Sequence, residues 1–218
     1  ESFGKSFNRV YGMKPEQLQL GFLKVLKGSY MEEMAKEYGL IYGSQPPYEV
    51  LYTKWLSYDH VLKLKRIEEM VELYYNSNQF TYTLPYLEQI FETPFQMYEV
   101  MADFYERKGY FVNSPARSYR YQVLLDFAIE IDPSRAELYK EALTFDLYLR
   151  ENMKTRPGFA KDLAEFKEEC REFYFKEEEQ RFYLPDYQEY DRKQLAKMTH
   201  LEPFYYPVWE RGENQERD

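Results

Sequence analysis

Ser57-Tyr58-Asp59-His60-Val61-Leu62-Lys63-Leu64-Lys65-Arg66-Ile67-Glu68-Glu69-Met70-Val71-Glu72-Leu73-Tyr74 sets the fold class. Leu64, Ile67, Val71 and Tyr74 recur at helical spacing and make one apolar stripe. Lys63, Lys65, Glu68, Glu69 and Glu72 cover the other faces. Ser57 is placed to cap the start, and Asn76-Ser77-Asn78 ends the run. The same period governs the rest of the chain downstream. Thr93-Pro94 opens a helix striped by Tyr98, Met101, Ala102 and Tyr105 and stopped by Gly109. Ser114-Pro115 opens another, with Tyr119, Val123, Phe127 and Ile131. Residues 134–152 place Leu138, Ala142, Phe145 and Leu149 in register. Pro157 is read as the start of a long last helix through Phe159, Leu163, Phe166, Cys170 and Phe173. A short helix is expected from Asp191 to Met198, and the aromatic run Phe204 to Trp209 reads as a strand.

Upstream of Ser57 the pattern differs. Phe3, Phe7 and Val10 fit the end of a helix that Gly12 stops. Leu18, Leu20 and Phe22 alternate with Gln17, Gln19 and Gly21, so residues 18–23 read as a short strand. Gly28 then breaks the chain, and Ser29 with Glu32 forms a capping box for a helix that Gly39 terminates. Leu40 to Tyr42 is a second candidate strand. A helix, a strand, a glycine turn and a helix are one piece of an α/β architecture, and a lone strand needs a partner for its backbone. The expected fold is therefore mostly α-helical, a multi-helix orthogonal array with a short α/β stub at its head.

Composition narrows the function classes. The 218 residues carry 29 Lys plus Arg against 38 Asp plus Glu, a net charge of -9. That balance opposes a general nucleic-acid or anionic-membrane surface. No apolar run approaches the ~20 residues of a membrane-spanning helix. No nucleic-acid or membrane partner is expected, and the expected location is cytoplasmic. One Cys and two His leave too little for a cysteine-rich zinc site or an iron–sulfur cluster. Tyr 24, Phe 16 and Trp 2 make the chain 19% aromatic, which suits a core rich in rings and also an interaction surface. The opening Glu1-Ser2-Phe3 and the closing charged run lead to the expectation of a piece cut from a longer protein.

Few constellations carry chemistry. His60 falls in the first turn of a helix, where an exposed or capping role is the expectation. His200 and Glu202 would share one face of a strand and could be read as a base with an orienting carboxylate. Cys170 lies on an apolar helical stripe and reads as a small hydrophobe. Gly28-Ser29 ahead of a helix could hold an anion through backbone N–H groups. Lys24, Lys27, Lys54, Lys63, Lys65 and Arg66 could gather into a local basic patch. No catalytic and no metal residue is assigned.

The run Leu18-Gln19-Leu20-Gly21-Phe22-Leu23-Lys24-Val25-Leu26-Lys27-Gly28-Ser29 resembles the end of the catalytic barrel of radical S-adenosylmethionine proteins. There a hydrophobic strand enters a Leu-x-Gly-Thr/Ser turn and then a helix. Tyr38-Gly39-Leu40, Pro46-Pro47-Tyr48-Glu49-Val50-Leu51, Thr53 to Tyr58, Leu64 to Met70 and Tyr74-Tyr75-Asn76-Ser77 are similar to one branch. It comprises bacterial proteins with a cobalamin-binding domain, loosely labelled methyltransferases or Mg-protoporphyrin monomethyl ester cyclases. His200-Leu201-Glu202-Pro203-Phe204 looks like that branch's His-x-Glu-x-Phe stretch. The likeness is good over residues 1 to about 110 and looser beyond.

The resemblance implies that the α/β stub is a short N-terminal α/β remnant of a barrel, so the domains expected are residues 1–45, the C-terminal remnant of a radical S-adenosylmethionine barrel; residues 46–198, a helical accessory domain; and residues 199–218, a strand-like aromatic segment and a disordered charged tail. It implies a non-catalytic C-terminal fragment whose helical domain packs on the barrel and shapes substrate access. The parent would be a radical S-adenosylmethionine enzyme using a 4Fe-4S cluster, S-adenosylmethionine and cobalamin. Its Cys-x3-Cys-x2-Cys motif is missing from this chain, so no cofactor is expected in the fragment. The partners implied are the N-terminal barrel and cobalamin-binding domains of the parent. By the same analogy Gln19, Gly21, Gly28 and Ser29 would lie beside cofactor or substrate. The orphan strand edge and the aromatic content further suggest a homodimer of the fragment. The alternative function is a free-standing acidic helical protein-interaction module.

Overall fold

The computed structural model describes residues 2–212 and is mostly helical, with 54% of residues in helix, nine α-helices and two short strands among the described residues. The chain divides into two compact units, Glu1–Pro115 and Ala116–Asp218.

In the first unit, α1 (Ser2–Tyr11) and α3 (Tyr58–Met70) pack on α5 (Pro94–Lys108). The predicted stripe is the seam: Ile67, Val71 and Tyr74 from one side meet Met97, Tyr98, Met101 and Tyr105 from the other, all at most 1% exposed. α3 continues into a π-helical turn, Val71–Asn76, and α4 (Leu84–Glu88) follows. Rings dominate this core, and their hydroxyls are paired inside it. Tyr74 and Tyr105 share a 2.5 Å hydrogen bond, and Tyr11 donates to Glu88 at 2.5 Å. Burial, with the Tyr98 and Glu88 side chains beside it, pushes the Tyr11 hydroxyl far above the ordinary phenol range. Thr93 caps α5 by accepting the Gln96 N–H, and Gly109 ends it in the left-handed region at φ 72°.

A small second cluster sits at the head of this unit. Val25, Leu40 and Val50 are buried together beneath Met31, Ala35, Tyr38 and Tyr42. It is framed by α2 (Tyr30–Glu33) and by the antiparallel pair β1 (Ile41–Tyr42) and β2 (Val50–Tyr52). The strand expected at residues 18–23 does not form. Residues 17–26 contain no helix, turn or bend, and their one ladder contact is an antiparallel bridge from Lys24 to Glu49. The Leu18 N–H donates to the Asn76 side chain at 2.9 Å and the Leu18 carbonyl accepts from it at 3.1 Å, so a helix-borne amide takes the place of a strand.

In the second unit, α6 (Arg120–Ile131) packs on α7 (Ala136–Arg150), and α8 (Lys167–Gln180) packs on α9 (Arg192–Met198). Asp191 caps α9 with a full capping box to Gln194. Two expectations fail here. The last long helix starts at Lys167, not Pro157. Side chains hold the intervening backbone instead: Asp162 accepts the Ala164 N–H at 2.9 Å, and the Lys161 carbonyl accepts from Arg156 at 2.5 Å. The aromatic run 204–209 is no strand either, and Val208–Gly212 is a 3-10 turn. The helix predicted from Ser114-Pro115 begins at Arg120. From residue 213 the expected charged tail lies outside the described residues.

Candidate functional site

The richest arrangement of polar and aromatic groups is built on one face of α7. Glu141, Phe145 and Tyr148 stand at i, i+4 and i+7, so they point the same way along the helix. A strap running from Thr199 to Trp209 crosses that face. Glu141 is 2% exposed and accepts the backbone N–H groups of Tyr205 at 2.9 and 3.0 Å and of Tyr206 at 2.8 Å. Its charge is matched by Lys161, 2.5 Å away, whose ammonium lies 3.4 Å from the centre of the Tyr205 ring. Phe145 meets Phe204 edge-on at 6.0 Å and Trp209 at 6.4 Å.

Glu202 is the second anchor. Its side chain is 6% exposed. The Arg156 fork donates to it from Nε at 2.8 Å and Nη2 at 2.6 Å, and the Tyr148 hydroxyl donates at 2.8 Å. Burial and the Glu202 carboxylate hold the Tyr148 hydroxyl well above its ordinary range, so it stays a donor. The His200 ring stacks on Tyr148 at 4.9 Å, and its Nε2–H donates to the Met153 carbonyl at 3.0 Å. A carbonyl only accepts, so Nε2 carries the proton and Nδ1 faces away without a partner among the described residues.

The strap separates two open clefts. One, of about 590 Å³, is lined by Glu137, Lys161, Asp162, Glu165, Tyr205 and Tyr206 among others. The other, of about 570 Å³, is lined by Phe145, Tyr148, Glu151, Asn152, His200 and Phe204 with neighbouring residues. A smaller apolar hollow of about 250 Å³ lies against Cys170, Leu163, Phe166, Phe173, Leu201 and Pro203. Burial first, and then the Glu169 carboxylate, pushes the Cys170 thiol up, which opposes a thiolate nucleophile.

The structure disperses the sequence-derived candidates. His200 and Glu202 fall in this site, but each turns to a different partner, so the base-and-orienter pairing read from strand alternation is not formed. His60 is exposed, with Nδ1 2.8 Å from the Ser57 hydroxyl that caps α3. Gln19 and Gly21 are exposed in the first unit, and nothing lies within 4 Å of where a Gly21 Cβ would sit. Gly28 adopts φ 76°, and its N–H is taken by the Glu32 carboxylate at 2.6 Å. Ser29 caps the four-residue α2 by accepting the Glu32 N–H. The basic cluster is dispersed into ion pairs, Lys63 with Glu99, Lys65 with Glu49 and Arg66 with Glu106, while Lys54 lies over Trp55. Sequence reading missed Glu141, Tyr148, Arg156 and Lys161. The one signal was Glu141 itself, a charge set directly before Ala142 on the apolar side of a helix.

Known proteins add a family to this geometry. The model of a family described as a protein of unknown function, DUF4080, matches residues 36–218. The chain belongs to the DUF4080 family. The matched region contains the whole α7–strap site, whereas Gln19, Gly21, Gly28 and Ser29 precede it. Comparisons with curated proteins and with solved structures returned no match. No helix among the described residues is long and apolar enough to cross a membrane.

Proposed function

We propose that this chain is the C-terminal part of a cobalamin-dependent radical S-adenosylmethionine enzyme, methyltransferase or cyclase-like. Its helical region does no chemistry itself; it packs on the barrel and shapes access to the substrate. The observation that carries the reading is residues 19–24, a segment that forms no strand of its own and leaves a backbone edge open. The Val25 N–H bonds to the Tyr48 carbonyl and the Val50 N–H to the Leu23 carbonyl, so the backbone groups of Lys24 point away from β2. Neither those groups nor the backbone groups of Gln19 to Phe22 have a hydrogen-bond partner among the described residues. An edge of this kind calls for a neighbouring strand, and the sequence resemblance supplies one in the upstream barrel. Association of the DUF4080 domain with radical S-adenosylmethionine and cobalamin proteins supports the same reading.

The iron–sulfur cluster of such enzymes does not fit the residues of this chain. Three cysteine ligands are needed, and the chain has one, half-buried with its thiol pushed up. Cluster, S-adenosylmethionine and cobalamin would belong to the upstream domains. What this chain offers is a wall that keeps water and side reactions from a reactive intermediate.

The test begins with the reading frame upstream of the Glu1 codon, which should run through a Cys-x3-Cys-x2-Cys motif. The intact product, reconstituted anaerobically, should cleave S-adenosylmethionine, and the 218-residue chain should not. Cleavage by the 218-residue chain, or a frame without the motif, would overturn the proposal.

A further inference from the structure

The apolar stripe read for the last long helix, Leu163, Phe166, Cys170 and Phe173, is not sealed by the fold. All four residues are half-buried, whereas Ile67, Met101, Val123 and Ala142 on the stripes of other helices are fully buried. Leu201 and Pro203 of the strap close the other side, and between them lies the hollow of about 250 Å³. Burial pushes the Cys170 thiol up, so it lines the hollow un-ionised, as a small apolar group. Two carboxylates also border it. Glu202 is already held by Arg156 and Tyr148, and Glu169 is exposed to water. No Lys, Arg or His lines it among the described residues. An anion there would meet Glu169 and find no cation.

Size and surroundings choose the occupant. An apolar cavity of roughly 150 Å³ stays dry and takes up benzene. About 250 Å³ therefore holds one ring with a short alkyl arm. A protein partner is disfavoured by what flanks the stripe. Lys167, Glu168, Glu169, Arg171, Glu172 and Lys176 are exposed along α8, and Arg171 with Glu168 and Lys176 with Glu172 pair at 3.7 Å. Interface cores are depleted of such charge. The chain's own last residues offer no apolar side chain, since Glu213 to Asp218 are all polar or charged.

We infer that this hollow binds a small neutral apolar molecule, a single aromatic ring with a short alkyl arm. The site lies wholly in the second unit and stands apart from the chemistry of any parent enzyme. The chain has one Cys, so the rate of its alkylation by N-ethylmaleimide reads this hollow alone. The probes are ethylbenzene and phenylacetate, added to the folded 218-residue chain. Ethylbenzene slows alkylation saturably, by at least about fivefold at about 1 mM. Phenylacetate leaves the rate unchanged, because its carboxylate would lose water without gaining a partner. In Cys170→Ser the Leu201 methyl signals move with ethylbenzene at the same half-point as in the unsubstituted chain. Leu163→Gln alters a half-buried wall residue that precedes the 3-10 turn Ala164–Phe166, so the helices are kept. It raises the ethylbenzene concentration for half-protection at least about fivefold. No saturable protection up to about 1 mM, equal protection by phenylacetate, or an unaltered half-point in Leu163→Gln would overturn the inference.

Discussion

Glu202 is a carboxylate almost out of water, and its stability depends on the three donors that Arg156 and Tyr148 supply. Removing one partner of such a pair leaves a buried charge uncompensated, which costs more than the pair contributes. Arg156→Met should therefore lower the unfolding free energy by about 3 kcal/mol in urea. Arg156→Met with Glu202→Leu together should cost clearly less than the two single changes summed, because the orphan charge is gone. Asp132 makes a second case. The Ser134 hydroxyl, the Arg135 guanidinium and the Tyr139 hydroxyl hold its carboxyl down at about 2, against an ordinary 3.8. A depressed carboxyl stabilises the fold fully above the unfolded value, and the contribution fades as pH falls from about 4 through about 2. Asp132→Asn should cost about 1 kcal/mol at neutral pH, allowing for solvent screening. The gap to the unsubstituted chain should close toward pH 2, as measured by urea unfolding across that range.

At the scale of elements, the strap is held by α7 through side chains, with no ladder of its own. Glu141→Ala removes the acceptor of two backbone N–H groups and the partner of Lys161 together. Amide exchange at Tyr205 and Tyr206 should speed up by at least about tenfold, with protection along α6 retained. Unchanged exchange at those two amides would show that the strap is held by its rings alone. The same physics explains which elements were legible in the sequence. α3, α5 and α9 were readable because their caps, Ser57, Thr93 and Asp191, and their apolar spacing are local signals. Residues 18–23 and 204–209 carry alternation or aromatics that read as strand. The Leu18 backbone is instead claimed by Asn76, 58 residues away, and the Tyr205 and Tyr206 N–H groups by Glu141, 64 and 65 residues away. No local pattern encodes such a partner. Arg156 and Glu202, 46 residues apart, were invisible as a pair for the same reason. His60 was readable as a cap because its partner Ser57 lies three residues away.

For the molecule as a whole, the first unit cannot spare its beginning. α1 packs on α5, and Val25 and Leu40 supply two of the three buried residues of the small head cluster. A chain lacking residues 1–40 should lose cooperative melting in that unit, whereas a free-standing module of residues 41 onward would melt unchanged. Leu23, Leu26, Tyr30, Ile41, Tyr52 and Trp55 are exposed in the stretch that begins at the open backbone edge. Exposed apolar side chains beside unpaired backbone favour a cover. In isolation the chain should then show a concentration-dependent mass above 26.7 kDa in light scattering, through a second copy on that edge. A constant 26.7 kDa species at all concentrations would count against self-association.

The claim that this edge is docked in a larger enzyme is tested most directly by hydrogen exchange at the Phe22 and Lys24 amides. It should be measured in the 218-residue chain and in the intact gene product with its upstream domains. Strong protection of both amides in the intact product, and fast exchange in the 218-residue chain, is the predicted result. Equal exchange in the two would contradict the account, since the upstream domains would then leave the edge uncovered.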